Sequence, residues 1–340
     1  MKRSTLALAS LATLALGTSF ATPALAQSSV TLFGVLDVAA RQVKNNASQS
    51  RLDGSGLSSS RLGFRGTEDL GGGLRAHFWL EGALTVDDGN ASGQTWQRRS
   101  TVGLQGGFGE VRLGREKNPS GLAWEQADPF GDTGMGAVGR FNQLAGLLPP
   151  GGVNSAYPRT SNQISYYTPG SGFFLHGAVA AGEGTLGNKH LDVRVGYRAG
   201  PILASVAYGG TEVTTATDLK RTTFGASYDL KTVKLFGMFA KTDAGANDQD
   251  NYLLGVSMPL GRFDLRASYN KVDGSGAFSS RSATGYALGS AYTLSRRTAV
   301  YATVAQINNK GASNLTVATG TALSPGRKSS GYEVGVRHSF

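Results

Sequence analysis

Segments of about ten residues in which apolar and polar side chains alternate recur along most of this chain. In "HLDVRVGYR", Leu191, Val193, Val195 and Tyr197 share one face of an extended strand, opposite Asp192, Arg194, Gly196 and Arg198. In "FDLRASYNK", Phe263, Leu265, Ala267 and Tyr269 oppose Asp264, Arg266, Ser268 and Asn270. About sixteen such segments lie between Val30 and Phe340. "VTLFGVLDVAAR", "SSSRLGFRGTED", "LRAHFWLEG", "QRRSTVGLQ" and "EVRLGRE" come first. After an interruption from Lys117 to Pro158, eleven more run to "GYEVGVRHSF".

Tight connections ("PGSG", "AGP", "DLKT", "PLGR", "LSRR") alternate with longer polar ones ("NNASQSRLDGSG", "TDAGANDQD", "NNKGASNLTVATGTALSPGRKSS"). This is the rhythm of an up-and-down barrel with its turns at one rim and its loops at the other. A closed sheet of sixteen strands is too wide for side chains to fill. The apolar faces must therefore point outward to lipid and the charged faces inward to water. Hydrocarbon also demands that every backbone N–H and C=O find a partner, which strands achieve only by closing on themselves. The expected fold is all-β: a transmembrane, antiparallel barrel of sixteen strands.

Composition agrees. The chain has 49 Gly and only 10 Pro, but neither the glycine period of a collagen nor the apolar poverty of a disordered chain. It has no Cys. At the start, Lys2 and Arg3 precede a short apolar run that ends in Ala24-Leu25-Ala26. Residues 1–26 are expected to be a secretory signal peptide, leaving a barrel domain at 27–340. The formal charge is +10, and removal of Lys2 and Arg3 leaves about +8. In an exported protein this favours small anions and acidic lipid surfaces over nucleic acid as partners. Tyr166, Tyr197, Tyr228, Tyr269 and Tyr292 fall near strand ends, where interfacial girdles would lie.

"SSVTLFGVLD", "SRLGFRGTEDLGGGL", "RRSTVGLQGGFGEVRLGR", "NQISYYTP", "AYTLSRRTAVYA" and "GVRHSF" together resemble the general porins of Gram-negative outer membranes, most of all the β-proteobacterial branch with anion-selective, comamonad-type members. The resemblance implies a homotrimer set in outer-membrane lipid and lipopolysaccharide, with a long third loop, here about 117–158, folded into each lumen. It implies a passive channel for small hydrophilic solutes with a preference for anions. Arg61, Arg98 and Arg159 match the wall arginines of the constriction, and Glu81 an acidic position beside them. Arg65 follows Arg61 on the charged face of its strand. The usual "PEFGG" loop pattern is absent, so Asp128 and Asp132 are acidic pore candidates by position only. Alternation selects Arg99 for the lumen where the resemblance selects Arg98. The resemblance is followed, since a strand at a subunit contact need not obey the lipid rule. The terminal Phe340 resembles the signature read by outer-membrane assembly machinery.

Arg115 shares its face with Val111 and Leu113, and an arginine on a lipid face is costly near the midplane. It is expected at the subunit interface, against an acid of a neighbour. Other chemistries have little support. Gly134, Gly136 and Gly139 spell G-x-G-x-x-G in a loop, without the strand and helix of a dinucleotide site. His77, His176, His190 and His338 are scattered, so no metal site is expected, and neither a catalytic constellation nor a cofactor is expected. A substrate-specific channel for phosphate or an organic acid, a barrel adhesin and a barrel enzyme are the weaker alternatives.

Overall fold

The computed structural model describes residues 29–89, 95–142, 158–170, 172–184, 187–214, 217–318 and 322–340. The expected signal peptide and residues 143–157 of the expected constriction loop lie outside the described residues. The first strand segments are β1 (Ser29–Lys44), β2 (Ser48–Gly54), β3 (Arg61–Gly71), β4 (Leu74–Ala83), β5 (Arg99–Gly106) and β6 (Gly109–Lys117). Helix α1 (Pro119–Ala127) and a 3₁₀ turn (Val138–Phe141) follow. Then come β7 (Arg159–Tyr167), β8 (Gly172–Ala180), β9 (His190–Ala199), β10 (Ile202–Thr214), β11 (Thr217–Asp229) and β12 (Lys234–Ala244). The last are β13 (Asn247–Leu260), β14 (Phe263–Gly276), β15 (Arg281–Thr293), β16 (Thr298–Gly311) and β17 (Lys328–Ser339).

Apart from β2 and β3, which do not pair with each other, each segment pairs antiparallel with its neighbours in the chain, and β17 returns to β1. Although seventeen segments form the sheet, β2 and β3 are two halves of one stave. β2 pairs with Val38–Lys44 of β1, and β3 with Ser29–Val35 of the same strand. The barrel thus has sixteen staves. Between the halves, residues 55–60 turn into the lumen and are held by Asp37. Its carboxylate accepts the N–H groups of Gly56, Leu57 and Ser58 at 2.7–3.1 Å and the Tyr301 hydroxyl at 2.5 Å. At the other end of the chain Phe340 and Gly34 exchange two backbone hydrogen bonds of 3.1 Å, which completes the seam.

Alternation predicts the faces well. Leu191, Val193 and Val195 are exposed on the outside, while Asp192 and Arg194 are buried inside. Two connections are shorter than the sequence suggests. Within "NNASQSRLDGSG" the chain forms β2, and within "TDAGANDQD" β12 and β13 run on to a tight turn at Gly245, whose φ of +65° suits glycine. Beyond the bilayer water satisfies both faces, so the backbone ladder continues where apolar alternation stops.

From Asn118 the chain leaves the wall. The Asn118 side chain caps α1 by accepting the Gly121 N–H at 2.7 Å, with Pro119 pre-set at the first helical position. The helix packs on lumen-facing groups of β9 to β12. Ser120 donates both N–H and hydroxyl to the Asp192 carboxylate at 2.9 Å, and Trp124 donates its indole N–H to Thr223 Oγ1 at 3.0 Å. Farther on, Phe130 and Phe141 settle over Gly289 and Gly285 of β15, where an added Cβ would come within 2.9 and 2.2 Å of the rings. These phenylalanines join Met135, Ala287, Ala305 and Ile307 in an apolar cluster inside the barrel.

Candidate permeation pathway

Arginines dominate the lumen face of β3–β7, outside the strands on which α1 packs. Glu81 of β4 is their centre. Arg98 donates from Nε to Glu81 Oε1 at 2.6 Å, and Arg61 Nε lies 3.8 Å from the same oxygen. Trp79 donates its indole N–H to Glu81 Oε2 at 3.1 Å. Arg159 donates from Nε to the Arg98 carbonyl at 2.8 Å, so a third guanidinium joins without a carboxylate of its own. Three cations therefore surround one anion. Lys117 and Glu125 of α1 form a separate ion pair beside them.

Arg98 and Arg99 both turn inward, so the choice between them dissolves. Arg99 begins β5 and obeys the alternation: its guanidinium lies 4.5 Å from the Trp79 ring and its Nε donates to Thr101 Oγ1 at 3.0 Å. Arg98 precedes the strand and escapes the period-two rule, which binds side chains only inside a ladder. Its backbone N–H bonds to the Glu81 carbonyl and its side chain to the Glu81 carboxylate. No subunit contact is needed to explain its direction.

The two loop acids stand elsewhere than expected. Asp128 does not face the arginines: it is 3 % exposed, and its carboxylate accepts the N–H groups of Phe130, Asp132 and Val138 at 2.9–3.0 Å. Burial pushes this carboxyl up to about 7, against the pull of those backbone donors. Asp132 accepts the Gly139 N–H at 2.8 Å, again within the loop. The turn from Asp128 to Gly139 needs these bonds because it crosses a buried region with few backbone partners. Arg140, in the same segment, donates to the Gly134 carbonyl at 3.3 Å.

Arg115 lies on the face of Leu113 and donates to the Gln97 carbonyl and Ser161 Oγ, both at 2.7 Å. Several inward groups escaped the sequence reading. Arg112 is held by Glu110 and Glu116 at 2.6–2.9 Å, and His77 lies 2.8 Å from Glu110. Alternation places Arg112 opposite Val111 and Leu113, which could have located it. Its ion partners depend on cross-strand register.

Similarity to known proteins agrees with this architecture. Residues 7–312 match the Gram-negative porin family. The chain belongs to that family. It is 42 % identical to outer membrane porin protein 32 of Delftia acidovorans, and the alignment covers all of both chains. Among solved structures, the anion-selective porin from Comamonas acidovorans matches with a TM-score of 0.85 at 38 % identity, over 92 % of this chain and all of that one. The trimer form of OmpT from Vibrio cholerae matches with a TM-score of 0.70 at 15 % identity, over 92 % of this chain and 99 % of that one; this likeness concerns fold alone. The protein is thus an outer-membrane barrel with a water-lined interior, a passive channel for small hydrophilic solutes.

Proposed function

We propose that this porin passes small anions in preference to cations, with Arg61, Arg98 and Arg159 as the selective element and Glu81 as their organiser. The observation that carries the proposal is the imbalance of three guanidiniums around one carboxylate, while Asp128 and Asp132 bond within the loop. Guanidinium stays charged at any working pH and offers planar donors that replace part of an anion's hydration shell. The loop side offers little opposing negative charge, since Glu125 is paired with Lys117. Similarity to the anion-selective Comamonas porin supports the same sign.

The assembly is proposed to be a homotrimer in lipid and lipopolysaccharide, with Arg115 at the subunit contact. Phe340 is proposed to be the feature presented to the assembly machinery. Reversal potential in a planar bilayer under a KCl gradient tests the selectivity. Anion preference that falls when the three arginines are neutralised supports it, and cation preference in the parent overturns it.

A further inference from the structure

Arg65 differs from the inward arginines that acids or amides hold. It lies four residues below Arg61 on β3, about 13 Å nearer the rim of short turns. Its guanidinium sits in an aromatic corner, 5.4 Å from the centre of the Phe33 ring and 5.2 Å from that of Trp79, and the two rings meet edge to face at 5.1 Å. Arg99 approaches the same indole at 4.5 Å. Arg65 is exposed to the lumen, and among the described residues it has no ion pair or side-chain hydrogen bond. By contrast Arg112 is held by two glutamates, and Arg194 and Arg198, which lie over Phe174, both donate to Gln126 Oε1.

Resting on the anion-preferring reading above, we propose that Arg65, Phe33, Trp79 and Arg99 form a second anion station below the constriction, suited to carboxylates that carry an aromatic or apolar body. The aromatic corner holds the guanidinium by cation–π attraction without neutralising it. Its planar fork then remains available for bidentate contact with a carboxylate. An apolar body gains from the neighbouring rings, whereas a strongly hydrated ion such as phosphate gains nothing there and is better served by the three arginines above. Two stations in series also suit conduction, which needs sites that bind an ion and release it onward.

Block of chloride current by benzoate in planar bilayers tests this with the intact channel. In the parent protein, inhibition should saturate with benzoate concentration. Arg65→Gln should raise the half-inhibitory concentration about tenfold, and Trp79→Leu about threefold. Arg65→Lys, which keeps the charge and loses the planar fork, should also weaken the block. Non-saturating inhibition in the parent, or equal block in the parent and Arg65→Gln, overturns the proposal. The broader reading of anion preference is judged separately, from the reversal potential in KCl without benzoate. Arg65 makes no hydrogen bond or ion pair among the described residues, so its replacement leaves no buried polar group unpaired.

Discussion

Arg41 and Arg61 lie on the same side of the sheet, one strand apart, and lead opposite lives. Arg41 of β1 has a side chain only 2 % exposed, bonded to Glu333 at 2.6 and 2.8 Å and to Asp53 at 2.5 Å. Arg61 is 26 % exposed and has one carboxylate at 3.8 Å, which it shares with Arg98. The first lies on the wall against which the inner loop packs, and the second on the wall left to water. On the proposed reading, a pore arginine shapes permeation only where nearby acids fail to match it. Where they do match it, the charge holds structure.

The sharpest way to break this contrast is to remove each guanidinium in turn. Arg41→Ala leaves the buried Glu333 carboxylate without its guanidinium, while Asp53 keeps Arg51, and should destabilise the barrel by about 3–5 kcal/mol. Arg61→Ala should cost only about 0–1 kcal/mol. Thermal unfolding of the two variants in detergent measures the difference, and equal losses would erase the distinction between the walls.

Permeation should show the reverse order. Neutralising Arg61, Arg98 or Arg159 singly should lower anion-over-cation permeability a few-fold, and neutralising all three should abolish the preference. The effect should shrink at high salt, because the Debye length falls from about 10 Å at 0.1 M to about 3 Å at 1 M. Arg41→Ala should move stability far more than it moves the reversal potential.

A smaller effect is expected outside the pore. Arg115→Ala should lower the temperature at which trimers dissociate on native gels, while the chloride preference stays as in the parent. Trimers as heat-resistant as those of the parent would remove Arg115 from the subunit contact.

A pH-dependent effect concerns Asp128, a loop acid whose carboxyl is raised from 3.8 to about 7 by burial. A raised acid contributes stability that is complete below pH 3.8 and is lost as the pH climbs through about 7. The parent should accordingly lose thermal stability between pH 4 and pH 8 relative to Asp128→Asn. Parallel pH profiles for the two proteins would show that the backbone donors cancel the effect of burial.

The sixteen staves were legible because alternation has period two and each segment carries its own record of lipid and water. Arg61, Arg98, Arg159 and Glu81 were legible through family resemblance, and the structure brings them together. Asp128 was misread because an acid in a polar loop looks the same whether it faces a pore or caps its own backbone. Arg98 defied alternation because its strand starts one residue later, a boundary no local pattern marks. Glu125 was missed because only the fold of the third loop sets it beside Lys117.

By itself the sequence determined which side of each strand meets lipid, since neighbouring residues must take opposite faces of a pleated chain. The basic excess and the order of turns and loops were local as well. Tertiary structure alone decided which charges remain unmatched in the lumen. Arg41 meets Glu333 across 292 residues because β17 closes on β1 in one register, and Asp192 holds Ser120 because the loop turns inward. Coulomb attraction acts over a few ångströms of space, and only closure of the barrel brings such distant residues that near.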